Sequence, residues 1–237
     1  MSMISRKLMG HSVAGGGGGS PFGLVAETQL TSSSSNTSSW SASNTASWQA
    51  NDVVVCTIQG RIANSSGWNP ASGTLSSPDS SLSVTNVFSQ KRSNNYGEYQ
   101  QIFYGVATGS YSGSGNWAWA DNSSGQVANR RAHLWVMRGD GSAPSGYSVD
   151  GGQGVSDVSF ALTTGAATDD RIISLAVAPN GNTSITYDGD GTPSVEVPYY
   201  TVENNSGIQW FHADEPAEIS QTTAGSLSLY SFISISP

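Results

Sequence analysis

Charge is scarce in this chain: 11% of its 237 residues are Asp, Glu, Lys or Arg. No run of ten or more residues shows 3.6-residue apolar spacing, so helices should be few and short. Cysteine is nearly absent as well. A single Cys56 excludes an internal disulfide framework and a multi-cysteine metal centre. Its place inside the apolar run Val53 to Ile58 marks it as a small buried hydrophobe. No apolar run approaches the roughly 20 residues that span a bilayer, so no membrane partner is expected. Leu8 to Ala14 is interrupted by Gly10, His11 and Ser12, a poor hydrophobic region for a cleaved signal peptide.

Catalytic and ligand-binding signatures are equally thin. His11, His133 and His212 are scattered, with no second ligand at helical or hairpin spacing. Tyr187-Asp188-Gly189-Asp190-Gly191 sets two carboxylates two residues apart, as a calcium loop does, but only Glu196 follows closely. Asp and Gly are ordinary hairpin residues, so the stretch reads as a turn. Arg138-Gly139-Asp140 spells an adhesion tripeptide directly after a strand, and three-residue matches arise by chance. His212-Ala213-Asp214-Glu215 lacks any accompanying G-x-S-x-G nucleophile motif. No carboxylate pair for glycoside hydrolysis is singled out. The expectation is a protein that is not an enzyme, with no catalytic residue, metal site or cofactor.

What the chain does have is glycine, 28 of them, together with Ser, Thr and Asn, and many short segments of two-residue alternation. The clearest is Ser226 to Ser236, where Leu227, Leu229, Ile233 and Ile235 share one side with Ser231. A terminal segment so rich in branched aliphatics belongs in the interior of a sheet. Val53 to Ile58 is a near-continuous apolar run, the mark of a strand covered on both faces. Ala132, Leu134 and Val136 opposite His133, Trp135 and Met137 make a second two-sided strand. Pro198 marks the strand Val195 to Val202 as an edge. Roughly ten or eleven strands follow at sandwich-like spacing, and Asn64 to Ser81 and Gly141 to Gly154 read as long loops. The fold class is therefore all-β: a jelly-roll-like antiparallel β-sandwich, one domain over residues 22–237, with a flexible Gly-rich N-terminal arm.

That arm, residues 1–21, carries Gly15 to Gly19 behind a basic and apolar tip. Ile4, Arg6, Lys7, Leu8 and Met9 are its candidate anchoring residues, and a 20-residue tether reaches roughly 60 to 70 Å at full extension. Residues 1–26 hold Arg6 and Lys7 and no acid, while the remainder holds all 17 acids against seven Lys and Arg. An acidic body repels phosphate backbones, so no nucleic-acid partner is expected. Trp40, Trp48, Trp68, Trp117, Trp119, Trp135 and Trp210 read mainly as core or inter-subunit packing. Trp68, in a loop, is the candidate ligand contact, and a host-surface glycan is the ligand class that aromatic faces suit.

The run of N-D-V-V-V-C-T-I at 51–58, Y-Q-Q-I-F-Y-G-V-A-T-G at 99–109, N-W-A-W at 116–119, R-A-H-L-W-V-M-R-G at 131–139, T-T-G-A-A-T-D-D-R-I-I-S-L-A-V-A at 163–178 and A-G-S-L-S-L-Y-S-F-I-S-I at 224–235 resembles sandwich domains of tailed-bacteriophage virion proteins. The resemblance covers about residues 50–236. The basic, apolar start with its polyglycine also resembles arms by which such proteins attach to the particle. It implies a virion location, a decoration, neck or tail-associated role, other virion proteins as partners, and a homo-oligomer. A carbohydrate-binding module for host-surface recognition is the alternative expectation.

Overall fold

The computed structural model describes residues 23–33, 37–64, 73–91, 98–121, 126–155, 159–163, 171–179, 185–189, 195–200, 204–212, 218–223 and 227–236. All regular structure among them is β. The strands are β1 (Gly23–Ser33), β2 (Ser39–Ser43), β3 (Val53–Asn64), β4 (Gly73–Ser76), β5 (Thr85–Lys91), β6 (Glu98–Val106), β7 (Asn116–Asp121) and β8 (Gln126–Arg138). There follow β9 (Gly146–Val155), β10 (Ser159–Thr163), β11 (Arg171–Pro179), β12 (Ile185–Gly189), β13 (Val195–Tyr200), β14 (Asn204–His212), β15 (Glu218–Thr223) and β16 (Leu227–Ser236).

The strands form four antiparallel sheets. Sheet A runs β1-β8-β3-β6-β5 and sheet B runs β2-β7-β4. Sheet A′ runs β9-β16-β11-β14-β13 and sheet B′ runs β10-β15-β12. Counting from β9 as a new first strand turns the second pair of orders into the first: the chain traces one eight-strand circuit twice. Strand lengths repeat along with the order. β1 to β8 have 11, 5, 12, 4, 7, 9, 6 and 13 residues, and β9 to β16 have 10, 5, 9, 5, 6, 9, 6 and 10.

Within each circuit the first strand pairs with the eighth, the second with the seventh and the third with the sixth. That is a long hairpin rolled up so that successive pairs alternate between two sheets, the jelly-roll arrangement. The fourth pair is altered in both circuits: β13 hydrogen-bonds to β14 and joins sheet A′, and likewise β5 lies beside β4 but hydrogen-bonds to β6 and so joins sheet A. Gly105 in β6 permits the chain to cross there, since a Cβ at that position would meet the Ser83 carbonyl oxygen at 2.3 Å.

Sheet A is the middle of the stack. Val54, Cys56, Ile58, Ala132, Leu134 and Val136 pack with Trp40, Trp117 and Trp119 of sheet B. Val53, Val55, Ile102, Trp135 and Met137 pack from the opposite face against Ile173, Leu175, Ile233 and Ile235 of sheet A′. Both faces of β3 and β8 are therefore buried, which is why each lacks the alternation of polar residues that a half-exposed strand shows. Phe232 and Ser234, on the far side of β16 from Ile233, are buried too, so sheet A′ is also covered on both faces there. β16 sits between β11 and β9, and β13, which carries Pro198, lies at a sheet edge, as the sequence indicates.

Several expectations need correction. Sixteen strands are described, not ten or eleven. β9 occupies most of the segment read as a glycine-rich loop, β4 lies inside the loop read over Asn64 to Ser81, and β15 has no counterpart among the expected strands. Each is rich in Gly, Ser or Thr, and its strand state comes from main-chain pairing with a neighbour, which leaves no apolar periodicity to read.

Burial also holds ionisable groups neutral. Desolvation raises the Cys56 thiol and, with a smaller opposing pull from Arg130, the Tyr99 phenol. Burial, with Tyr147 adding to it, pushes Tyr104 up to about 12. A group whose pKa is raised on folding contributes stability below its unfolded pKa and loses it as pH climbs through the folded value. The melting temperature should therefore fall steeply between about pH 9 and pH 12. Tyrosinate absorbance should rise together with loss of β circular dichroism. Full phenol ionisation near pH 10 in a chain that keeps its fold would refute this.

Candidate functional site

Several polar side chains buried in the described part pair within the protein. His133, on the face of sheet A turned to sheet A′, meets Glu27 of β1 through Nδ1 at 2.5 Å. Beside it the Trp135 indole donates to Thr57 Oγ1 at 3.3 Å. Further along that face three glutamines stand opposite one another across β5, β6 and β3. Gln90 Nε2 donates to Gln100 Oε1 at 2.8 Å, and Gln100 Nε2 to Gln59 Oε1 at 3.4 Å. Ser231 Oγ of β16 reaches across the stack to Gln100 Oε1 at 2.9 Å. This explains a serine in the aliphatic face of the last strand: it fastens one jelly roll to the other.

The larger sheets meet in reversed order, with β6 over β16 and β5 over β9. Gln100 contacts Ser231 at one end, while Tyr104 packs at a tilt on Tyr147, next to Ile235, with ring centres 4.4 Å apart. A two-fold axis parallel to the strands would give this arrangement, so the contact has the character of an isologous interface contained in one chain.

Asp52 and Arg138 secure the join between the circuits. Asp52 is 1% exposed and accepts from Arg138 Nε and Nη2 at 2.7 and 2.6 Å, and from the Gln49 amide at 2.8 Å. The paired carboxylate raises the Arg138 pKa further. The bidentate fork fixes the Arg138 guanidinium on Asp52, while Asp140 of the Arg138-Gly139-Asp140 tripeptide is exposed. Asn51, at φ 70, donates from Nδ2 to the Gly141 carbonyl at 2.6 Å, tying the same turn to the connecting segment.

Five of the seven tryptophans, Trp40, Trp48, Trp117, Trp119 and Trp135, are buried. Trp68 and the arm residues Ile4, Arg6, Lys7, Leu8 and Met9 lie outside the described residues, as do His11, Asp190, Asp214 and Glu215. Asp188 and Gly189 fall in β12, paired with Ser220 and Ile219. No cluster of three or more potential metal-ligating side chains occurs among the described residues. No helix described is long and apolar enough to cross a membrane.

No protein-family model, curated protein or solved structure matches this chain.

Among the described residues, sheet B exposes an uncharged face. Across sheet B, Ser39, Ala120 and Thr74 stand in one row, Ser41, Ala118 and Ser76 in the next, and Ser43 beside Asn116. Their partners in alternation, Trp40, Trp117, Trp119 and Leu75, point to the core. The sequence holds a signal for this surface that composition alone hides: residues 28–51 contain no charged residue.

Proposed function

We propose that this chain is a non-enzymatic structural protein of a tailed-phage virion, anchored by its N-terminal arm to the capsid, neck or tail and self-associating through its sandwich. The observation that carries the reading is the tandem of jelly rolls packed through their large sheets into one stack. Jelly rolls serve in viral coats and in lectins, and the argument from fold to role is an analogy. It is supported by the use of the buried polar groups: Asp52, His133, Gln100 and Ser231 are spent on joining strands and sheets. The separation of charge agrees with it, since a basic tip on an acidic body can dock on a surface that the body alone would not hold.

The experiment is incorporation into particles. Full-length protein should be found in purified virions from infected cells, whereas a variant lacking residues 2–20 should fold and remain in the soluble fraction. Equal incorporation of the shortened chain would remove the anchoring role, and absence of the full chain from particles would remove the virion assignment.

A further inference from the structure

We propose that β2 is the strand through which two copies of this chain pair, antiparallel and centred on Ala42, joining their B sheets into one of six strands. The inference rests on the self-associating reading above and names the surface that performs it. Asp121 donates its amide to the Ser38 carbonyl at 2.9 Å, and the Asn44 amide donates to Gly115 at 2.7 Å. By the antiparallel alternation, the even-numbered residues of β2 face β7, and Ser39, Ser41 and Ser43 turn their N–H and C=O groups to the free edge. The Thr37 hydroxyl takes both groups of Ser39, accepting from its amide at 3.2 Å and donating to its carbonyl oxygen. Four main-chain groups, those of Ser41 and Ser43, remain with no partner among the described residues.

A two-fold axis at Ala42 sets Ser41 against Ser43 of the partner subunit and Ser43 against the partner's Ser41. Those are two hydrogen-bonded pairs, and they use all four groups. Ala42 then faces the partner's Ala42, two small side chains at the position where antiparallel strands approach most closely. Charge favours this surface over the rest. The chain carries a net charge of −8, so copies repel, but β2 and the exposed faces of β4 and β7 beside it hold no charge to oppose contact. Four of the other edges, those of β1, β4, β5 and β13, are obstructed. β1 has two register shifts, β5 has one, β13 carries Pro198, and Asn86 Nδ2 of β5 donates to the Gly73 carbonyl of β4 at 3.5 Å. Bulges and prolines are the devices that close edges to pairing, and β2 has neither.

Sedimentation of the full-length protein over a micromolar concentration series tests this. Ser41→Pro removes one outward donor and no bond to β7, as an edge strand tolerates. Loss of at least two of four main-chain hydrogen bonds should weaken the dimer by about tenfold or more. Ser43→Lys should do the same while leaving the strand free to fold. Ala42→Cys should oxidise to a covalent dimer, since the facing Cα atoms fall about 4.5 Å apart, within disulfide range. A dimer unchanged in both Ser41→Pro and Ser43→Lys would overturn the β2 pairing while leaving self-association standing. A dimer lost on removing residues 2–20 but kept in Ser41→Pro would assign the contact to the arm instead. A wild-type chain monomeric throughout would overturn both.

Discussion

Trp135→Ala should lower stability by about 3–5 kcal/mol, the cost of truncating a fully buried aromatic, and the melting temperature by on the order of 10 °C for a chain of this size. Trp135 is 0% exposed and sits among Val53, Val55, Ile102 and Met137 of one large sheet and Ile173, Leu175, Ile233 and Ile235 of the other. Truncation opens a cavity between two stacked sheets, each already fixed by its own main-chain ladder, so the walls cannot close on it freely. The loss also strips Thr57 Oγ1 of its indole donor, leaving a buried hydroxyl to find another partner. Trp135→Phe, which keeps most of the volume, should cost a third or less of this. Calorimetry is the appropriate measurement, because weakening the contact between circuits should broaden or split the transition relative to that of the parent. A fall of under 3 °C would show that the two jelly rolls do not depend on this contact.

Arg138→Ala is expected to be the second severe change, at about 2–4 kcal/mol. Removing one member of a buried ion pair leaves an uncompensated charge, and Asp52, at 1% exposure, would keep only the Gln49 amide. The lower end of the range allows for Arg138 itself being 35% exposed, so water partly takes its place. Arg138→Lys should recover part of the loss, since an ammonium supplies the charge but not the two parallel bonds of a guanidinium. The double variant Asp52→Asn with Arg138→Ala should be more stable than Arg138→Ala alone, because the stranded charge is gone. Asn51 and Asp52 also hold the Ala107 main chain, at 2.8 and 2.9 Å, and the Gly141 carbonyl, so limited proteolysis should cut residues 139–145 sooner in Arg138→Ala. Additive losses in the double variant would mean that the two side chains are not coupled.

The sequence was informative about this protein wherever side chains carry the signal. Two-residue alternation at Ser226 to Ser236 and the unbroken apolar run at Val53 to Ile58 identified an interior strand and a strand buried on both faces. Pro198, which lacks an amide hydrogen, announced an edge. The same signal failed at β9 and β15, where Gly, Ser and Thr hold a strand by main-chain bonds that any residue can make. The candidate surface was poorly legible for a related reason: Ser39, Ser41 and Ser43 matter through the direction of their backbone groups, and that direction is set by which neighbour β7 becomes. Local pattern thus determined the class of structure and which faces are buried, because burial selects residue type one position at a time. Tertiary structure alone decided that the circuit is run twice, that Ser231 reaches Gln100 across 131 positions, and that Ser41 and Ser43 of β2 face away from β7. Strand order and register arise from contacts between distant segments, and no single segment encodes them.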